Sequence, residues 1–296
     1  MTATDHRASM HSMIKRLNVL ENFSTPREFW DGVNAIRQSG DRGFTDVVEQ
    51  SHSMQALCDA PDLSALRLES EVRNARLYST PDTSRQRLLV AFTGTAHRMM
   101  MPLPIFMQAL PRNTDLLILY DPLKNHYRSG IWDGDRTLWD LRSIVAPIVS
   151  AYGDTVALGT SLGGLPALRF SKHAGLRRGI SFGGRLIDDT LLILRRHIVP
   201  PAYDPLCACD EARNTEVILV HAAGNVQDAQ AARCAAVAAN SHTISLAGRS
   251  NHGILWDMQR LDRLPDLLEM TFSASASALN DALCTWSATD LAAIRT

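Results

Sequence analysis

Thr155-Val156-Ala157-Leu158-Gly159-Thr160-Ser161-Leu162-Gly163-Gly164 carries the strongest structural signal in the sequence. It opens as a continuous apolar run, the kind that fills a strand covered on both faces, and passes through G-x-S-x-G into a segment with helical patterning. The bare pattern carries little weight, because average glycine and serine frequencies alone produce it in a chain this long with a probability of roughly one in ten. Its placement carries more. A serine between a buried strand and a helix stands on a tight turn at the carboxyl edge of a sheet, with its hydroxyl presented outward. Gly159 and Gly163 leave room where a side chain would strike neighbouring backbone.

The sequence around this stretch alternates short apolar runs with longer amphipathic ones, which predicts an α/β fold: a mostly parallel sheet with helices on both faces. Strands are expected at 72–78, 87–93, 115–120, 155–159, 178–182, 216–221 and 243–247, and helices at 103–110, 135–151, 162–174, 228–239, 259–270 and 276–293. The run 186–214 interrupts the rhythm and reads as a small inserted lid. Residues 1–65 read as a helical extension ahead of one domain spanning 66–296. Within the extension, Thr25-Pro26-Arg27-Glu28 is a helix start: Thr25 caps, Pro26 suits the first helical position, and Glu28 reaches back as the other half of a capping box. Gly40 ends that helix.

Composition narrows the function classes. The chain has 296 residues, 45% of them hydrophobic and 21% charged, as in a packed globular protein. Thirty basic residues against thirty-one acidic ones leave a formal charge of −1, so no overall field draws nucleic acid or an anionic membrane; a small, weakly charged substrate fits that balance. The first twenty residues lack the apolar core of a secretory signal, and no run has the length of a membrane span. A cytoplasmic protein is expected. Cys58, Cys207, Cys209, Cys234 and Cys284 are odd in number and scattered, unlike a disulfide framework. The lone C-x-C at 207–209 has no further ligands at metal spacing.

With strand, G-x-S-x-G and helix in this order, residues 70–270 resemble the α/β-hydrolase superfamily. The resemblance implies a nucleophile, an acid and a histidine in that chain order. After the strand EVILVH comes AAGNVQDAQAA, which places Asp228 where such enzymes carry the acid; after HTISLA comes GRSNHGILW, which places His252 just past the last strand. Asp188 and Asp189, after the preceding strand, are the alternative acids, because some members carry the acid there. The trio answers a chemical need: a serine hydroxyl is a poor nucleophile until a base takes its proton, and the base needs a carboxylate to fix its tautomer and tolerate its charge. The resemblance also implies an oxyanion hole made by the backbone amides of Leu162 and Thr95. The loop around Thr95 reads Thr93-Gly94-Thr95-Ala96 rather than the more familiar His-Gly.

Other residues admit two readings each. Pro166 sits awkwardly in the second turn of the helix expected from Ser161 and predicts an irregular turn there. Met99, Met100 and Met101, with Leu103 and Phe106, either line an acyl pocket or pack the next helix on the sheet. The polar run 121–130 is either a substrate contact or a capped loop. Trp256 either walls the site or anchors its helix, and anchoring is favoured. His221 reads as structural, as do His97 and His126.

The expected function is thus a serine hydrolase acting on a carboxylic ester or thioester through an acyl-enzyme on Ser161. No cofactor is implied: no P-loop or dinucleotide fingerprint, and no metal site, stands in the required setting. An acyltransferase with the same trio, and a non-catalytic binding protein of the same fold, are the alternatives.

Overall fold

The computed structural model describes residues 3–58, 60, 62–81, 85–127, 131, 145–184, 214–236 and 241–290. The expected lid, apart from residue 214, lies outside the described residues, as do Asp188, Asp189, Cys207 and Cys209.

Four helices open the chain: α1 (Ala3–Phe23), α2 (Pro26–Gln38), α3 (Arg42–Glu49) and α4 (His52–Leu57). The capping box forms as read. The Thr25 amide donates to Glu28 Oε2 at 2.8 Å, and the Glu28 amide donates to Thr25 Oγ1 at 3.2 Å. Gly40 terminates the turn after α2 at φ +73°, a conformation glycine adopts without strain. Phe29, Val33, Ile36, Phe44, Val48, Met54 and Leu57 give these helices a core of their own. α1, α2 and α4 also pack onto the helix Leu103–Gln108, whose other residues enter the main core of the sheet domain.

Eight strands follow: β1 (Arg67–Val72), β2 (Ala75–Ser79), β3 (Arg87–Phe92), β4 (Thr114–Leu119), β5 (Asp154–Thr160), β6 (Arg178–Phe182), β7 (Glu216–Ala222) and β8 (Ser241–Leu246). Their order in the sheet is β1-β2-β4-β3-β5-β6-β7-β8. β1 and β2 run antiparallel to their neighbours, and every pairing from β4 through β8 is parallel. All strands from β3 onward therefore end at one edge. Side chains alternate across the sheet as the pleat requires: in β3, Leu89 and Ala91 enter the core that also holds the helices near the carboxyl terminus, while Leu88, Val90 and Phe92 enter the opposite core with Ala167 and Phe170.

Two expectations about elements need correction. The single strand at 72–78 is two strands, because Arg73 takes φ +57° and turns the chain between Val72 and Ala75. β1 escaped the reading because all six of its residues are exposed, so it lacks the apolar run that marks a buried strand. The single helix at 259–270 is likewise two, Ile254–Arg260 and Leu264–Ser273. Asp262 at φ +55° breaks them, and Pro265 starts the second near its first position, where a missing amide costs nothing.

Candidate active site

β5 ends at Thr160, and the next three residues, Ser161–Gly163, form a single 3-10 turn before the α-helix Gly164–His173. Ser161 has φ +51°, a left-handed conformation that a non-glycine residue holds only where its surroundings enforce it. The surroundings here are close backbone contacts. A Cβ on Gly159 would fall on the Gly163 carbonyl, and one on Gly163 would fall on the carbonyls of Phe92 and Thr93. The 3-10 turn also resolves the difficulty of Pro166: the α-helix proper begins at Gly164, so Pro166 lies in the first turn, where amides lack intrahelical acceptors in any case.

Asp228 comes from the helix Val226–Ala235 after β7. Asn225 caps this helix, its side chain accepting the Asp228 amide at 3.2 Å, so Asp228 occupies the first turn, where the helix dipole favours a carboxylate. Its side chain is 1% exposed. His252 comes from the loop after β8, and its Nδ1 lies 2.7 Å from Asp228 Oδ2. The loop is braced from beneath: the Gly253 amide donates to Asn251 Oδ1 at 2.8 Å, Asn251 Nδ2 donates to Asp257 Oδ1 at 3.3 Å, and buried Arg249 pairs with Asp257 at 3.4 Å.

The sheet register relates this pair to the serine. Thr160 is paired with Phe182 on β6, so Ser161 and Gly183 each follow the last paired residue of neighbouring strands at the same sheet edge. Gly183 takes φ +54°, and a Cβ there would lie 3.0 Å from His252 Cε1 and Nδ1 and 3.1 Å from Asp228 Oδ2. The imidazole thus rests against the residue that follows β6. Its Nε2 is buried and has no hydrogen-bond partner among the described residues; no hydrogen bond joins it to Ser161 Oγ. Asp228 Oδ1 is similarly buried and unpartnered among them, and Asp228 lines a small cavity with Ser181, Gly184 and His221.

This combination of strand order, one antiparallel end and a strained serine between β5 and its helix decides the architecture. The chain has the α/β-hydrolase fold. The loop after β3 faces the serine from the other side, since a Cβ on Gly94 would lie 3.2 Å from Ser161 Cβ. Within it the Gly94 amide donates to the Arg98 carbonyl at 2.9 Å and the His97 amide to the Gly94 carbonyl at 3.0 Å, a closed turn that carries Thr95. Leu162 stands in the first turn after the serine, where amides are not consumed by the helix.

The remaining sequence candidates sort as follows. Met99 and Met101 are 0% and 1% exposed within the main core, with Leu103 and Phe106, so they pack the fold. In the part of the polar run that is described, the Asp121 carboxylate accepts the Tyr127 amide at 2.9 Å, and the buried Tyr127 hydroxyl donates to the Leu119 carbonyl at 2.7 Å; this is a self-capped loop. Burial, opposed by these backbone amides, holds the Asp121 carboxyl above the usual carboxylate range. Trp256 packs edge-on against His52 of α4, with ring centroids 5.2 Å apart. His221 is buried in β7 with Nδ1 3.2 Å from the Ala222 carbonyl. His97 stacks obliquely near Tyr120 at 6.0 Å. Among the described residues no group of three potential ligands could hold a metal ion, and no helix is long and apolar enough to cross a membrane.

Sequence reasoning passed over Gly183, Asn225 and Arg98. Asn225 was findable, because Asn-x-x-Asp is a helix-start pattern. Gly183 and Arg98 had no signal of their own, since the significance of Gly183 lies in its approach to His252 and that of Arg98 in the bond of its carbonyl to the Gly94 amide.

No family model matches the sequence, and no curated protein matches it. Among solved structures, the enterochelin esterase from Shigella flexneri aligns at 16% identity and a TM-score of 0.43, covering 70% of this chain and 59% of that one. Est1E from Butyrivibrio proteoclasticus aligns at 13% identity and 0.44, covering 76% and 100%, and the siderophore hydrolase EstB from Aspergillus nidulans at 11% and 0.45, covering 73% and 98%. The chain spans about three fifths of the length of the enterochelin esterase.

Proposed function

We propose that the chain is a serine hydrolase that cleaves a carboxylic ester or thioester of a small molecule, with Ser161 as nucleophile, His252 as base and Asp228 as the acid orienting the base. The observation that carries this reading is the 2.7 Å contact of His252 Nδ1 with buried Asp228, which leaves Nε2 as the nitrogen for proton transfer. Ser161 stands at the same sheet edge on a strained turn, which supports its assignment as nucleophile. The absence of a Ser161–His252 hydrogen bond is compatible with this role, because such bonds often tighten only when substrate is bound.

In the proposed reaction Ser161 Oγ attacks the carbonyl carbon while its proton passes to His252 Nε2. The carbonyl oxygen becomes an oxyanion, held by the Leu162 and Thr95 amides, which are oriented before reaction and lose little in reorganisation. Asp228 stabilises the imidazolium. Collapse of the intermediate breaks the bond to the leaving alcohol or thiol, which takes the proton from His252 and departs. Water then attacks the acyl-enzyme, giving its proton to His252; the acid leaves and the proton returns to Ser161.

Labelling by a fluorophosphonate probe tests the assignment. The parent is expected to label rapidly, and the Ser161→Ala variant not at all, with His252→Ala strongly slowed. Equal labelling of Ser161→Ala and parent would falsify the nucleophile.

A further inference from the structure

The carbonyl of Arg98 is a junction. It accepts the Gly94 amide at 2.9 Å, closing the turn that carries Thr95, and it accepts the hydroxyl of Thr160, the residue before Ser161, at 3.3 Å. The side chain of the same residue leaves the sheet domain altogether. Its Nε donates to Asn22 Oδ1 at 2.6 Å, and its terminal nitrogen donates to Asn18 Oδ1 at 2.6 Å and Glu21 Oε2 at 2.9 Å. All three acceptors lie on the last two turns of α1. Asn22 closes the arrangement by donating to the Ala96 carbonyl at 3.3 Å.

The end of α1 is itself fixed on two sides. Glu21 is 6% exposed and accepts the buried Ser53 hydroxyl at 2.7 Å, tying α1 to α4. The Tyr120 hydroxyl donates to the Asn22 carbonyl at 3.2 Å, and the Tyr78 hydroxyl to the Phe23 carbonyl at 3.4 Å, tying α1 to the sheet. A guanidinium fork held by three oxygens has little rotational freedom left, and its backbone carries that restraint directly into the turn beside Ser161.

We infer that Arg98 is a positioning residue for the oxyanion loop, and that the Asn18–Glu21–Asn22 turn of the helical extension holds it, so that the first helix of the chain is coupled to turnover. The inference rests on the serine-hydrolase reading. A donor at an oxyanion must be in place before charge develops, and a small displacement forfeits most of its effect; a loosened clamp therefore lowers kcat and leaves KM nearly unchanged.

The test uses the full chain with Glu21→Gln, which keeps an acceptor for Ser53 but turns an amide toward Arg98, and Arg98→Lys, which keeps the charge but loses the fork. Arg37→Ala is the control: it removes an exposed ion pair to Glu49 elsewhere in the extension. Turnover of an aryl ester is measured beside hydrogen exchange of the segment 93–101. Expected for both clamp variants are faster exchange in that segment and a fall of about tenfold in kcat, with KM within about twofold and the control unchanged in both. The conservative Asn18→Asp variant, which keeps the acceptor for Arg98, should retain most of kcat. Unchanged exchange at 93–101, or faster exchange with unaltered kcat, would overturn the clamp. Failure of Ser161 to label in the parent would instead sink the hydrolase reading, while the exchange data still judge whether α1 holds the loop.

Discussion

His252 Nδ1 and Asp228 Oδ2 lie 2.7 Å apart, with the carboxylate 1% exposed and the imidazole about one quarter exposed. A short contact to a buried carboxylate fixes which ring nitrogen carries the proton. It also fixes the plane of the ring, because the ring packs against Gly183.

Replacing Asp228 by Asn is therefore expected to leave the fold intact and to lower kcat for an aryl ester by about 10⁴-fold, through loss of the favoured tautomer and of stabilisation for the imidazolium. Steady-state kinetics with a circular-dichroism check of folding measures this. A loss of less than about tenfold would show that another group orients the base.

Gly183→Ala probes the packing behind that pair. The residue must hold φ +54°, and its new methyl would meet His252 and Asp228 at 3.0–3.1 Å. Alanine pays about 1 kcal/mol for the left-handed conformation, and the ring must move to admit the methyl. The expected result is a modest fall in Tm with a fall in kcat of tenfold or more. Activity equal to the parent would mean that the ring is not held there during turnover.

The fold was legible in the sequence because several of the parallel strands, β3, β4 and β7 among them, contain continuous apolar runs and the amphipathic segments between them show helical spacing. What it concealed were features without that contrast. β1 has no buried side chain, and the break at Asp262 is a single residue's backbone angle. Of the candidate site, the sequence pointed to Ser161, Asp228 and His252 in that chain order, and the structure brings the last two into contact. Arg98 could not, since its side-chain partners Asn18, Glu21 and Asn22 lie more than seventy positions earlier. Met99 and Met101 stood open between pocket and core; their burial beside Phe106 decides for the core.

Arg178 anchors the sheet to the end of the helix Leu264–Ser273. It is 3% exposed, pairs with Glu216 of β7, and donates to the carbonyls of Thr271 at 2.7 Å and Ala274 at 2.6 Å. Arg178→Ala strands a partly buried carboxylate and two carbonyls, so a loss of about 3 kcal/mol is expected in chemical denaturation. A loss below about 1 kcal/mol would mean that these groups regain water readily.

His97 gives the stability a pH dependence. Burial, assisted by nearby Lys124 and opposed by Asp121, lowers its pKa. The folded state therefore binds fewer protons than the unfolded one as pH falls below the ordinary histidine value of about 6.5, and stability drops through that window and is regained above it. His97→Asn, which tolerates the φ +58° of this position, is expected to show a smaller decline in Tm between pH 7.5 and 5.5 than the parent. Parallel Tm profiles would rule the histidine out as the cause.

The proposed function depends on an acyl group becoming covalently attached to Ser161. Acid quenching during turnover of an activated aryl ester, followed by proteolysis and mass analysis, measures this directly. An acyl mass increment is expected on the peptide that contains Ser161, and it should be absent from Ser161→Ala together with turnover. An acyl group on a different residue, or undiminished turnover by Ser161→Ala, would contradict it.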